Sequence, residues 1–169
     1  MIHSKIYQVK KIGLGCLSVM AKPVSGEFVE QEFSDIAAQG VDCIVSLLEL
    51  REANDIGLKL EQSLAEKNSI EFISFPIPDR GLPSSVSQFS DFTSKLHNDI
   101  VSGKHTVIHC RAGIGRTGLV SAGVLLHSGL NVAEAFKLVS QKRGTLVPDT
   151  QEQQDWLFSH YKRIISTPK

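Results

Sequence analysis

Apolar and polar residues follow two rhythms along this chain, a period of two and a period near 3.6, and the two rhythms take turns. Short β-type runs at Ile6 to Val9 and Leu17 to Met20, with Gly13 and Gly15 between them, predict an N-terminal strand or hairpin. Over Phe28 to Gln39 the residues Phe33, Ile36 and Ala37 share a helical face, and Gly40 stands where a glycine closes a helix. Val41 to Leu48 reads as a buried strand, and Leu50 to Lys67 as a charged, helical segment. Ile70 to Ile77 alternates as a strand until Pro76, Pro78, Gly81 and Pro83 force a loop. Val86, Phe89, Phe92, Leu96 and Ile100 lie near one helical face. Thr106 to Cys110 is again a strand, and the apolar run Leu119 to Leu126 a helix. A helix over 131–143 is marked at both ends, by Asn131 with Glu134 as a capping box and by Gly144. A last helix from about Thr150 buries Leu157, Tyr161 and Ile164.

Strands that alternate with helices predict an α/β domain with a central, largely parallel sheet flanked by helices. Residues 1–169 read as one such domain, without repeats or a linker. In these sheets a ligand sits at the carboxyl ends of the strands. Three segments should therefore converge: the loop after Cys110, the Asp79 loop, and Leu48 to Arg51.

Composition narrows the classes. Eighteen basic and eighteen acidic residues cancel, which argues against nucleic-acid or membrane-surface binding driven by bulk charge. No stretch approaches the roughly 18 apolar residues of a membrane span, and the lysines at 5, 10 and 11 precede no signal-peptide core. Cys16, Cys43 and Cys110 are too few for a disulfide framework, so a reducing, cytoplasmic setting is expected. Neither HExxH nor CxxC occurs, so no metal site and no cofactor are expected.

The chemistry concentrates in His109-Cys110-Arg111-Ala112-Gly113-Ile114-Gly115-Arg116-Thr117-Gly118. A strand, a tight loop and a helix start aim successive backbone N–H groups at one point, where they bind phosphate and favour a thiolate. Gly113 and Gly115 allow positive φ and close approach of the backbone to a ligand. Arg116 can hold two phosphoryl oxygens with its planar fork. Thr117 can donate a hydrogen bond to the Cys110 sulfur. Asp79, at the end of the neighbouring strand, is the candidate general acid, and afterwards the base for hydrolytic water.

His109-Cys110, five residues, then Arg116-Thr117-Gly118 resembles the active-site motif of the cysteine-based protein tyrosine phosphatase superfamily. With the Asp79 loop and the order of elements, the resemblance extends over roughly residues 41–160. It implies that family's fold and a two-step, metal-free reaction through a phosphocysteine. Carried onto this chain, Cys110 is the nucleophile, Arg116 the phosphate clamp, Asp79 acid then base, and Thr117 the aid to the sulfur. His109 tunes the cysteine and its loop. The loop from Arg111 through Ala112, Gly113, Ile114 and Gly115 to Arg116 binds the phosphate. The chain lacks a Lys-Asn-Arg-Tyr segment, so it is more similar to the dual-specificity group. That implies phosphoprotein substrates, phosphotyrosine first, then phosphoserine or phosphothreonine. Arg111 adds a positive charge, as in some phosphoinositide-directed members, whereas Ile114 stands where those members often carry a second basic residue. At the place of the water-positioning glutamine of tyrosine-specific members this chain has Asp149, with Gln151 and Gln153 nearby.

Each feature also has a blander reading. Cys110 could be a buried structural thiol. Gly113-Ile114-Gly115-Arg116-Thr117-Gly118 fits the G-x-G-x-x-G dinucleotide fingerprint, but its strand comes late and Glu134 opens a helix where an acidic strand end is needed. Asp79 can be a turn residue, with Asp91 the alternative acid on a solvated helix face. Gln153 reads first as the partner of Thr150 in a capping box, and Lys142-Arg143 as a pair that offsets a helix dipole. Cys43 is expected to be a core residue, too far along its strand to bridge Cys110. His105 and His127 read as packing or surface residues. From another class, a silent phosphoprotein-binding module would have no need of Cys110, Arg116 and Asp79 together.

Overall fold

A computed structural model describes residues 4–166. Alternation of apolar residues builds five strands: β1 (Tyr7–Ile12), β2 (Gly15–Met20), β3 (Cys43–Ser46), β4 (Glu71–Ser74) and β5 (His105–His109). They form one sheet in the order β1-β2-β5-β3-β4, in which only β1 runs antiparallel to its neighbour. Of the two readings of the N-terminal segment, strand or hairpin, the structure has the hairpin, β1 with β2. The pairing register sets Met20, Ser46 and His109 level with one another at the carboxyl edge.

Seven α-helices are described: α1 (Val29–Ala38), α2 (Leu50–Asp55), α3 (Glu61–Lys67), α4 (Val86–Val101), α5 (Gly115–Leu126), α6 (Val132–Arg143) and α7 (Gln151–Ile165). Successive strand residues face opposite ways, so β3 and β5 feed two cores. Val45 and Ile108 join the core built with α4 to α7. Ile44 and Val107 join a smaller one with Phe33 and Ile36 of α1 and Leu64 of α3. Helix α5 lies in the middle of the larger layer, and every residue from Arg116 to Leu126 is buried. That is why its sequence is apolar all round rather than on one stripe.

Three elements differ in extent from the sequence reading, the first being the strand expected over 41–48, which is regular only over Cys43–Ser46. The helical segment over 50–67 is broken into α2 and α3, because Gly57 takes a left-handed turn with φ +82. The strand expected over 70–77 is regular only over Glu71–Ser74. Its backbone still follows β3 beyond that, with Phe75 N–H donating to the Ser46 carbonyl (2.9 Å) and Ile77 N–H to the Leu47 carbonyl (3.0 Å). This extension carries the following loop up to the carboxyl edge of the sheet.

Candidate active site

β5 ends at His109, the chain turns through 110–114, and α5 starts at Gly115. The first intrahelical bond here runs from Gly118 N–H to the Ile114 carbonyl (3.0 Å), so the preceding amides are not used by the helix. Gly113 has φ +72, and a Cβ there would stand 2.5 Å from the Met20 carbonyl oxygen. Gly115 was expected to need positive φ as well, but it does not have it; a Cβ there would collide with Asp149 Cβ at 2.9 Å. Gly118 lies likewise against Val147, with 2.7 Å to its Cβ. The glycines of the apparent dinucleotide fingerprint thus serve close packing within the chain.

The back of the loop is held by backbone and by an arginine. Lys22 N–H donates to the Arg111 carbonyl (3.0 Å). Arg143, at the end of α6, donates from Nε to the Gly113 carbonyl (3.2 Å) and from Nη2 to the Ala112 carbonyl (3.0 Å). Its guanidinium lies 4.4 Å from the centre of the Tyr7 ring. C=O and N–H of one peptide plane point in opposite directions, so these bonds turn the amides of Gly113 and Ile114 away from Arg143. Arg143 therefore does more than offset the α6 dipole: it braces the loop.

Cys110 lies at the floor of a small open cavity of about 160 Å³, whose rim includes Asp79, Arg80, Arg111 and Asp149. The Thr117 hydroxyl donates to Cys110 Sγ (2.9 Å). Cys43, level with Thr106 in the sheet, stands four strand residues short of Cys110, about 13 Å. Both thiols are free. Burial, then the nearby Glu71 carboxylate, pushes the Cys43 thiol up to about 12, as suits a core residue.

Arg116 is buried and its guanidinium is almost fully engaged. Glu52 accepts from Nη1 through Oε1 (2.7 Å) and from Nη2 through Oε2 (2.9 Å). The Ile77 carbonyl accepts from Nη1 (2.9 Å), and Asp79 Oδ1 from Nη2 (3.2 Å). Of the five N–H donors of a guanidinium, the one on Nε has no acceptor among the described residues. Burial works against the Arg116 charge, but the Glu52 hydrogen bonds and the surrounding negative groups hold its pKa above the usual arginine value. In return, the hydrogen bond to Arg116 holds the Glu52 carboxyl below its ordinary range. Arg111 Nε lies 3.6 Å from the same carboxylate and is half exposed.

His109 is completely buried. Nδ1 faces the Cys110 carbonyl at 3.1 Å and Nε2 faces Glu61 Oε2 at 2.6 Å. A carbonyl only accepts, so Nδ1 donates, and a ring that also donates to a carboxylate is an imidazolium. Burial pulls its pKa down, but the charge and hydrogen bond of Glu61 outweigh burial and raise it.

The structure brings together Cys110, Arg116, Thr117, His109, Asp79 and the loop 111–115. Asp91 is exposed on α4, and Gln151 bonds only Gln154 and Asp155 on α7. Gln153 makes the expected capping box with Thr150, and its Nε2 also donates to the Gly81 carbonyl (3.2 Å). Asp149 pairs with Arg80 at 3.4 Å. His105 and His127 bond Ser18 and Thr93, away from the site.

A five-stranded sheet with a buried cysteine, a braced glycine-bearing loop and an engaged arginine at its carboxyl edge is the arrangement of the cysteine phosphatase class. Over 99% of both chains the fold matches that of the kinase-associated phosphatase, with a TM-score of 0.88 at 18% identity. The active form of the phosphatase Tk-PTP matches over 93% of this chain and 97% of its own, with a TM-score of 0.75 and 30% identity. A family model described as "Polymorphic toxin system, DSP-PTPase phosphatase" matches residues 18–130, and the chain belongs to that family. Among curated proteins, protein tyrosine phosphatase type IVA 3 of Bos taurus is 32% identical over 80 residues, which cover 46% of each chain. The matched segment spans less than half the length of such relatives.

Proposed function

We propose that this chain hydrolyses phosphomonoesters on proteins, phosphotyrosine first, through a phosphocysteine. The Cys110 thiolate attacks phosphorus, and the bond from phosphorus to the leaving oxygen breaks. Protonated Asp79 gives that oxygen its proton. Water then attacks phosphorus while the Asp79 carboxylate takes its proton. The S–P bond breaks, and the Thr117 hydroxyl bonds the thiolate that is released. The amides of the loop and the start of α5 hold the phosphoryl oxygens throughout.

The observation that carries this reading is the division of Arg116. Glu52 occupies the Nη1–Nη2 edge and fixes the guanidinium plane. The other edge, Nε–H with the second Nη2–H, is offered to a ligand, and Asp79 rests on it at 3.2 Å. A phosphoryl group above Cys110 takes that edge, with Asp79 beside it at the leaving oxygen. For Arg111, sharing Glu52 favours an ordinary phosphoprotein over a highly charged inositol lipid.

The test is phosphate release from a phosphotyrosine peptide, a phosphothreonine peptide and a phosphoinositide, with Cys110→Ser as the blank. Release from the phosphotyrosine peptide is expected, with Cys110→Ser inactive yet still binding inorganic phosphate. Release from the lipid alone would move the substrate class to phosphoinositides. Binding without Cys110-dependent release from any of the three would make the domain a phosphate-recognition module.

A further inference from the structure

The capping box at the start of α7 explains only half of Gln153. Its side chain is completely buried, and Oε1 accepts from the amides of Asp149 and Thr150, both at 3.2 Å. Two N–H groups on Oε1 fix which end of the amide is oxygen, so Nε2 faces the Gly81 carbonyl as a donor. A cap needs only the acceptor, and a glutamate serves it as well. The donor is spent on the loop that carries Asp79.

Beyond Ile77, whose carbonyl Arg116 Nη1 holds at 2.9 Å, little else ties that loop down. The bond from Gly81 N–H to the Pro78 carbonyl (2.7 Å) is internal to it, and Arg80 sits in the left-handed region with φ +57. The Arg80–Asp149 pair joins the loop to the same turn before α7, but both side chains are well exposed and water weakens the pair. Asp79 itself touches Arg116 Nη2, and a bound phosphoryl group takes that contact away. In the substrate complex, the buried amide of Gln153 is then the shielded tie on the far side of Asp79, as the bond from Arg116 to the Ile77 carbonyl is on the near side.

We infer that Gln153 is a positioning residue for the general acid, holding the Asp79 loop over the substrate through the Gly81 carbonyl. The inference rests on Asp79 being that acid. Gln153→Glu keeps size and cap but puts an acceptor where the donor was; Gln153→Met removes the donor without adding charge. Each full-length variant is assayed on 4-nitrophenyl phosphate, whose leaving group needs little protonation, and on phenyl phosphate, whose leaving group needs it. Inhibition by inorganic phosphate reports the pocket, and Asp79→Asn is the reference. Both Gln153 variants are expected to lose roughly tenfold in kcat/KM on phenyl phosphate, which reports the step in which the ester oxygen leaves rather than the shared hydrolysis of the phosphocysteine. They should stay within about twofold of wild type in kcat/KM on 4-nitrophenyl phosphate and in phosphate inhibition. Equal losses on both esters, or no loss on either, while Asp79→Asn shows the selective loss, would overturn the positioning role alone. Equal losses from Asp79→Asn itself would remove the acid, and the proposal with it.

Discussion

A guanidinium has two usable edges, and Arg116 gives them to different masters. Glu52 fixes one, so the side chain does not have to find its rotamer when the ligand arrives. Lysine has the charge but neither edge. Arg116→Lys is therefore expected to cost roughly 10²- to 10³-fold in kcat/KM on a phosphotyrosine peptide, by steady-state kinetics. Behind the loop, the His109–Glu61 pair is an internal charge couple with a pH signature. The folded-state pKa of His109 lies above its ordinary value of 6.5. The stabilisation is thus complete below about pH 6.5 and is lost as pH rises through the folded value. Glu61→Gln should destabilise by about 3 kcal/mol at acidic pH. The gap from wild type should narrow as pH rises above 6.5 and through the folded-state value, in urea unfolding curves.

At the scale of elements, α5 is the axis about which the helical layer closes, and its small residues set how near the neighbours come. A Cβ on Gly123 would stand 2.6 Å from Phe89 Cζ and 2.7 Å from Cε1, where α4 crosses. Gly123→Ala removes a helix-breaking residue and yet is expected to lower stability by about 1–3 kcal/mol through overpacking, seen as a lower Tm. Such crossings are invisible in the sequence, because they join residues 34 positions apart that no periodicity connects. What periodicity does connect was legible: both capping boxes, the Gly40 and Gly144 helix ends and the three parallel strands β3, β4 and β5 follow from local pattern, while the N-terminal segment was left open between one strand and a hairpin. The loop 109–118 stood out because its glycines and the Cys110 to Arg116 spacing are local, and the order of strands put Asp79 beside it, where the structure has it within 3.2 Å of Arg116. Glu52 and Glu61 were not. Both lie in a stretch that reads as a solvated charged helix, and only the break at Gly57 turns one carboxylate to Arg116 and the other to His109. The one available signal for Glu52 was position, since it follows the predicted site segment Leu48 to Arg51 by a single residue. Arg143 showed its helix-end role in the sequence, whereas its hold on the Ala112 and Gly113 carbonyls comes from a contact across about thirty residues.

For the whole molecule, strand order and chain order disagree in a way that matters. β5 is the last strand made but lies between β2 and β3, which have no direct pairing with each other. Until residues 105–109 arrive, the sheet is two separate pieces, a hairpin at one side and the β3–β4 pair at the other. The strand that joins them also delivers Cys110, and the brace and the tie, Arg143 and Gln153, follow later still. The part that welds the scaffold and the part that brings Cys110 to its edge are thus one stretch of chain, residues 105–110, made after the other four strands. A chain cut short before residue 105 loses the strand that joins the two halves of the sheet and the cysteine of the candidate site together.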